Sequence, residues 1–173
     1  MVDVPALTAP LAPSTVRQLE RAAEKRFEEG ECLKKQSRLL GALYLYGYSV
    51  EMCLAAAYFR RAGFRPDQSI TEDERRRRMA HARQTPHPDG EPLMSKTSHP
   101  LVGWAQYLQW HRRLSGALTS QDEQRLREAV QKAKHVYKHW RPELRYKTTD
   151  VATGQLDEVR RCVSWFIEQR GRL

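Results

Sequence analysis

Arginine and histidine supply most of the side chains here whose type and spacing could do chemistry, and they gather in two stretches. Residues 60–83 hold eight arginines, including the run Arg75, Arg76, Arg77 and Arg78, against four acids. Residues 125–147 hold eight basic residues, among them Lys134, Lys138 and Arg141, against Glu128 and Glu143. These two stretches carry the formal excess of nine positive charges that 30 basic and 21 acidic residues produce. A basic face of this kind is the electrostatic footprint expected for a polyphosphate backbone, although an ordinary solvated face also looks like this. Neither stretch has an aromatic or leucine-rich apolar face beyond what a core needs, which favours nucleic acid over a membrane surface.

Metal and nucleophile chemistry finds less support in local spacing. His135 and His139 stand at i, i+4, a spacing that can hold zinc, but Val136-Tyr137-Lys138 between them supplies no glutamate and no third ligand follows nearby. His81 and His87 flank a loop without cysteine neighbours. Cys32, Cys53 and Cys162 are odd in number and scattered, which argues against a disulfide framework or a thiolate zinc site and suits a reducing cytoplasm. No Ser-His-Asp or Cys-His set is visible as a local motif. The expectation is therefore no metal and no cofactor.

The elements that must position these groups read as helices almost throughout. The first 14 residues carry three prolines and no basic n-region, so they are expected to form a disordered arm rather than a signal peptide. Thr15 to Gln18 has capping-box spacing, and Val16, Leu19, Ala23 and Phe27 then recur at helical period to about Glu29, where Gly30 is expected to interrupt. A second helix, starting between Cys32 and Ser37, contains the apolar run Gly41 to Phe64 and is expected to stop at Gly63. Tyr44, Tyr46, Tyr48, Ser49, Glu51, Arg60 and Arg61 break that run, so a core helix is expected rather than a membrane span. Thr71 to Glu74 caps a short charged helix through Arg83, and the Pro- and Gly-rich stretch 85–100 reads as a long loop. A third core helix follows as LVGWAQYLQWHRRL, with Pro100 suited to its first turn. The fourth opens with a capping box at Ser120 and Glu123 and buries Leu126, Ala133 and Trp140, with Lys132, Lys134 and Lys138 facing away and Pro142 ending it. The last begins near Asp150.

No alternating strand pattern, repeat or glycine-rich phosphate loop appears. The expected fold is all-α, an up-and-down bundle of four to five core helices over residues 15–170, with the short charged helix and long loop inserted between the second and third core helices. Glu51, the one carboxylate in the apolar run, needs a basic partner. Arg145 is the expected one, folding back before the last helix with Tyr146 packed beside it. The functional reading of the same region has Arg141 and Arg145 flanking a phosphate or nucleotide groove, with His139 and Trp140 offered for contact or stacking.

Three features combine at this point: Tyr44 to Ala56 (YLYGYSVEMCLAA) on a long helix, His99-Pro100-Leu101 opening the next core helix, and Arg145-Tyr146 before the last. In this combination the chain resembles the HEPN superfamily, the helical bundles named for higher eukaryote and prokaryote nucleotide binding. The resemblance spans roughly residues 15 to 170. It implies a bundle of four or five helices, commonly a homodimer, associated with RNA, nucleotides or a protein partner such as a nucleotidyltransferase or an antitoxin.

One branch of that superfamily consists of metal-independent ribonucleases of toxin–antitoxin and defence systems, marked by an arginine followed four to six residues later by a histidine. The chain departs from that pattern after Arg145, where Asp150 stands in place of the histidine. The spacing does occur between Arg76, or Arg75, and His81. In such a pair the imidazole would activate the ribose 2′-hydroxyl or protonate the leaving oxygen, and the guanidinium would stabilise the phosphorane. The expected function is a cytoplasmic, non-catalytic HEPN-like binding or partner subunit in a nucleic-acid-linked, toxin–antitoxin or defence-type system. The alternatives are a ribonuclease using the displaced Arg76 and His81, and a helical assembly protein that meets an acidic protein partner.

Overall fold

A computed structural model describes residues 15–84, 101–116, 118–147 and 151–173, without the side chains of Met79, Arg83 and Arg145. The expected disordered arm, the loop 85–100 with His99 and Pro100, and Asp150 lie outside the described residues. Among the described residues six α-helices run α1 Val16–Lys35, α2 Leu39–Arg61, α3 Glu72–Gln84, α4 Leu101–Leu114, α5 Ser120–His139 and α6 Thr153–Gln169, with a short 3-10 turn over Pro142–Tyr146. Among the described residues there is no strand, only an isolated bridge between Thr15 and Ser69. The fold is an all-α bundle of five core helices, with the charged α3 between the second and third of them, as the hydrophobic period implies.

Helix α2 is the axis of this arrangement and packs against α1, α4, α5 and α6. Its small residues Ala42, Gly47, Ala56 and Ala57 are all buried and let its neighbours close in. By length and composition α2 is long and apolar enough to cross a bilayer, despite its tyrosines and Glu51, and half of that apolar window is buried inside the bundle. Gly63, at φ +89°, terminates it as expected. The guanidinium groups of Arg60 and Arg61 in its last turn donate to the backbone carbonyls of Arg170 and Leu173, tying α2 to the end of α6.

Gly30 does not end α1. The helix runs through it to Lys35, and the turn falls at residues 36–38, where Ser37 takes φ +59°. The glycine serves packing: a Cβ there would stand 2.6 Å from Tyr46 Cε1, so only a residue without a side chain admits the Tyr46 ring. The Tyr46 hydroxyl donates to Glu31, which also takes a two-pronged hydrogen bond from Arg160 of α6, at 2.8 Å from both Nε and Nη2. Glu31 thus joins α1, α2 and α6, and Arg160 holds its carboxyl below the usual carboxylate range against the opposing effect of burial.

Glu51 is half-buried rather than sealed in the core, and the Arg145 side chain expected to pair with it lies outside the described residues. Tyr146 is 73% exposed and does not pack into the bundle as expected. Helix α5 is capped one residue earlier than its sequence suggests. Thr119 and Asp122 form the reciprocal capping box, while Glu123 is taken by Arg113 at 3.1 Å.

Candidate functional site

The reciprocal box at Thr71 and Glu74 starts α3, with backbone-to-side-chain bonds of 2.8 and 3.2 Å. Four consecutive arginines then leave the helix about 100° apart, so they cannot form one face. Arg76 points to solvent and pairs with Glu72 at 3.1 Å. Arg77 is likewise exposed, its Nε donating to the Asp73 carbonyl at 3.4 Å. Arg75 is half-buried, with Nη2 shut away from solvent and lacking a hydrogen-bond partner among the described residues, and burial lowers its pKa against the raising influence of Glu72.

Arg78 turns inward. Its guanidinium donates to the Tyr58 hydroxyl at 3.0 Å and lies over the rings of Phe64, at 5.3 Å, and Tyr58, at 5.7 Å. Three residues on, and so on the same side of α3, His81 places Nδ1 2.5 Å from the Tyr107 hydroxyl of α4. His111, one turn further along α4, meets the Tyr58 ring at 5.9 Å and the Tyr107 ring at 6.0 Å, both edge-on. Trp110 stacks on Tyr107 with an interplanar angle of 13° and remains partly accessible. One cation and two imidazoles from separate helices therefore converge over Tyr58 and Tyr107, which are themselves buried in the core by the apolar period of α2 and α4.

The electrostatics follow from this crowding. Burial, then the charges of Arg78 and His81, push the His111 pKa below its ordinary value of 6.5. Burial and then the Tyr58 hydroxyl push Tyr107 above the ordinary phenol range, so it remains a neutral hydrogen-bonding group. Such a set can hold a phosphate oxygen between Arg78 and an imidazole, or pass a proton between an imidazole and a ribose oxygen.

Arg76 and His81, paired by spacing alone, stand about 140° apart around the helix. Arg77, at about 40°, and Arg78, at about 60°, both lie on the His81 side, and of the two it is Arg78 that turns onto Tyr58. Nothing at sequence level marked this exchange except the i, i+3 spacing, and nothing marked His111, which comes from another helix.

The second basic stretch also divides. Lys134, Lys138 and Arg141 are exposed, and Arg141 lies 3.5 Å over the Tyr137 ring. Lys132 does not face away: it lies over the Trp165 ring at 5.4 Å and pairs with Glu128 at 3.3 Å. Trp140, offered above for stacking on a ligand, is fully buried, with Nε1 donating to the Tyr44 carbonyl at 3.0 Å. His139 lines an open pocket of about 250 Å³ with Lys138, Lys147 and Gln155. No family model, no curated protein and no solved structure matches the chain.

Proposed function

We propose that the chain is a HEPN-like, non-catalytic RNA- or nucleotide-binding subunit of a nucleic-acid-linked, toxin–antitoxin or defence-type system. One observation carries this reading: Arg78, His81 and His111 meet over Tyr58 and Tyr107, with the exposed Arg77 on the His81 side of α3. Tyr58 and Tyr107 are buried, so the ring open to a base is Trp110, stacked on Tyr107 and partly accessible. Cations near such a ring suit single-stranded or looped RNA, whose phosphates need neutralising and whose unstacked bases need a flat surface. The resemblance of Tyr44 to Ala56 and of Arg145-Tyr146 to the HEPN pattern supports the same assignment, and with it cytoplasmic action as a homodimer or beside a nucleotidyltransferase-like or antitoxin protein.

A second reading is favoured by the two imidazoles. His81 and His111 touch the same Tyr107 ring from adjacent helices, which suits a metal-independent ribonuclease in which one imidazole takes the 2′-hydroxyl proton and the other protonates the departing 5′-oxygen. The bond formed is then 2′-oxygen to phosphorus and the bond broken is phosphorus to 5′-oxygen, with Arg78 as the stabilising cation.

Incubation of tag-free protein with labelled structured RNA and tRNA in EDTA separates the readings. Intact RNA with a mobility shift that weakens steeply with salt is the expected result. Arg76→Ala with Arg77→Ala should lower affinity and reduce the logarithmic salt slope by roughly 0.7 per lost contact. Cleavage that both His81→Ala and His111→Ala abolish replaces binding with catalysis. Neither shift nor cleavage overturns both readings and leaves an acidic protein partner as the match for the basic faces.

A further inference from the structure

We infer that His135 and His139 of α5 and Glu158 of α6 form a binding site for one divalent transition-metal ion, zinc by preference. No third ligand stands near the two histidines in sequence. The packing of α6 on α5 supplies one, and one ligand atom from each of the three residues lies within 4.8 Å of the other two.

The separation between His135 and Glu158 suits a metal better than it suits a hydrogen bond. His135 Nε2 is 3.5 Å from Glu158 Oε2, and it is closed off from solvent with no hydrogen-bond partner among the described residues. Two ligand atoms held ~2.0–2.1 Å from a tetrahedral zinc ion stand ~3.3–3.4 Å apart, close to the separation seen. The imidazole rings are 5.3 Å apart and tilted at 56°, so neither blocks the other by stacking. Their i, i+4 spacing in the last turns of α5 fixes both on one side of that helix.

Donor chemistry selects the ion. Two imidazoles and one carboxylate favour zinc and its transition-metal neighbours over magnesium or calcium, which take mainly oxygen ligands. Three protein ligands leave the fourth tetrahedral position to water or an exogenous group. Glu158 is exposed, so the site is reached from the solvent side of α6.

The test uses tag-free protein stripped with EDTA and exchanged into chelator-free buffer. It is titrated with Zn²⁺ by calorimetry, and with Co²⁺ read by visible absorption. One ion per chain is expected, with a four-coordinate Co²⁺ spectrum lacking thiolate charge-transfer bands. His139→Ala and Glu158→Gln should each weaken Zn²⁺ affinity at least about tenfold, whereas Cys32→Ser, at the exposed thiol, should leave it unchanged. Glu158 is exposed, so its replacement is expected to keep the thermal midpoint of the metal-free protein. Absence of saturable binding, or Glu158→Gln binding as tightly as wild type, overturns the three-ligand site. Because no RNA is present, the result stands apart from the nucleic-acid reading.

Discussion

Gly47→Ala tests the joint on which the bundle turns. Gly47 lies mid-helix in α2, where alanine should ordinarily help, since glycine costs roughly 1 kcal/mol relative to alanine in a helix interior. A Cβ at this position would stand 2.1–2.2 Å from three atoms of the Trp140 indole. Ordinary carbon contacts begin near 3.4–4 Å, so relief requires the indole to move by more than an ångström. Trp140 has nowhere to go: it is wholly buried, its Nε1 is committed to the Tyr44 carbonyl, and its face meets the Tyr48 ring edge-on at 5.3 Å. Overpacking a dense core costs roughly 1–3 kcal/mol, and the Trp140 hydrogen bond adds about 1 kcal/mol if the shift breaks it. After subtracting the gain in helix propensity, the net destabilisation is roughly 1–3 kcal/mol. For a chain of this size that lowers the thermal midpoint by roughly 2–12 °C.

Urea and thermal unfolding followed by far-ultraviolet circular dichroism and tryptophan fluorescence would measure the change. Gly154→Ala in the first turn of α6 serves as the control, because nothing lies within 4 Å of its added Cβ, and it should be neutral or slightly stabilising. The decisive arm is a double-mutant cycle. In a Trp140→Leu background the clash largely disappears, so Gly47→Ala should become neutral or stabilising, with a coupling of at least about 1 kcal/mol between neighbours. A Gly47→Ala protein as stable as the Gly154→Ala control, or one equally destabilised in both backgrounds, would refute the contact.

Two further perturbations follow from the charge networks. Glu31→Ala should destabilise the fold by roughly 1–3 kcal/mol, because the Tyr46 hydroxyl loses its acceptor inside the bundle. Its folded pKa is depressed, so the stability Glu31 supplies is present above about 4.5 and is lost as pH falls through the lower folded value. The variant should therefore show a shallower acid limb in pH-dependent unfolding, and an unchanged limb would contradict the assignment. His111 is depressed in the folded state, so the unfolded chain binds its proton more readily and stability falls as pH drops below about 6.5. Arg78→Gln removes a nearby cation and should move the His111 midpoint upward in a proton-NMR titration; a downward or absent shift would sever that link.

The bundle was legible where one helix reports on itself. The period of Leu126, Ala129, Ala133 and Val136 marks the buried side of α5, and Gly63 marks the end of α2. Legibility failed where the deciding partner sits on another helix. Gly30 looks like a break until the Tyr46 ring is placed over it, and Trp140, which the helical period buries and its position before Arg141 equally offers for stacking, is decided for the core only when it is seen lying across Gly47. The same limit governs the sites. Spacing along α3 could match an arginine to His81 only by sequence distance, whereas the pairing depends on which arginine turns toward α2. The third metal ligand had no local signal at all, because Glu158 enters from α6.

Helix α2 explains why the two candidate sites should act separately. Tyr58 in its last turns supports the Arg78, His81 and His111 group, and Gly47 near its middle receives Trp140, the residue immediately after His139. These attachment points are eleven residues apart in sequence, roughly 16 Å along the axis at 1.5 Å per residue. That exceeds the Debye length of ~8–10 Å at physiological to moderate ionic strength, so the charge of an ion at His139 is largely screened from a phosphate at Arg78. Coupling would have to pass through α2 itself, and its dense packing resists small displacements. Zinc should therefore leave the RNA mobility shift nearly unchanged while raising the unfolding midpoint through its affinity for the native state. A zinc-dependent change in RNA affinity of tenfold or more would mean that the two sites meet on a shared surface, most directly through a second copy of the chain.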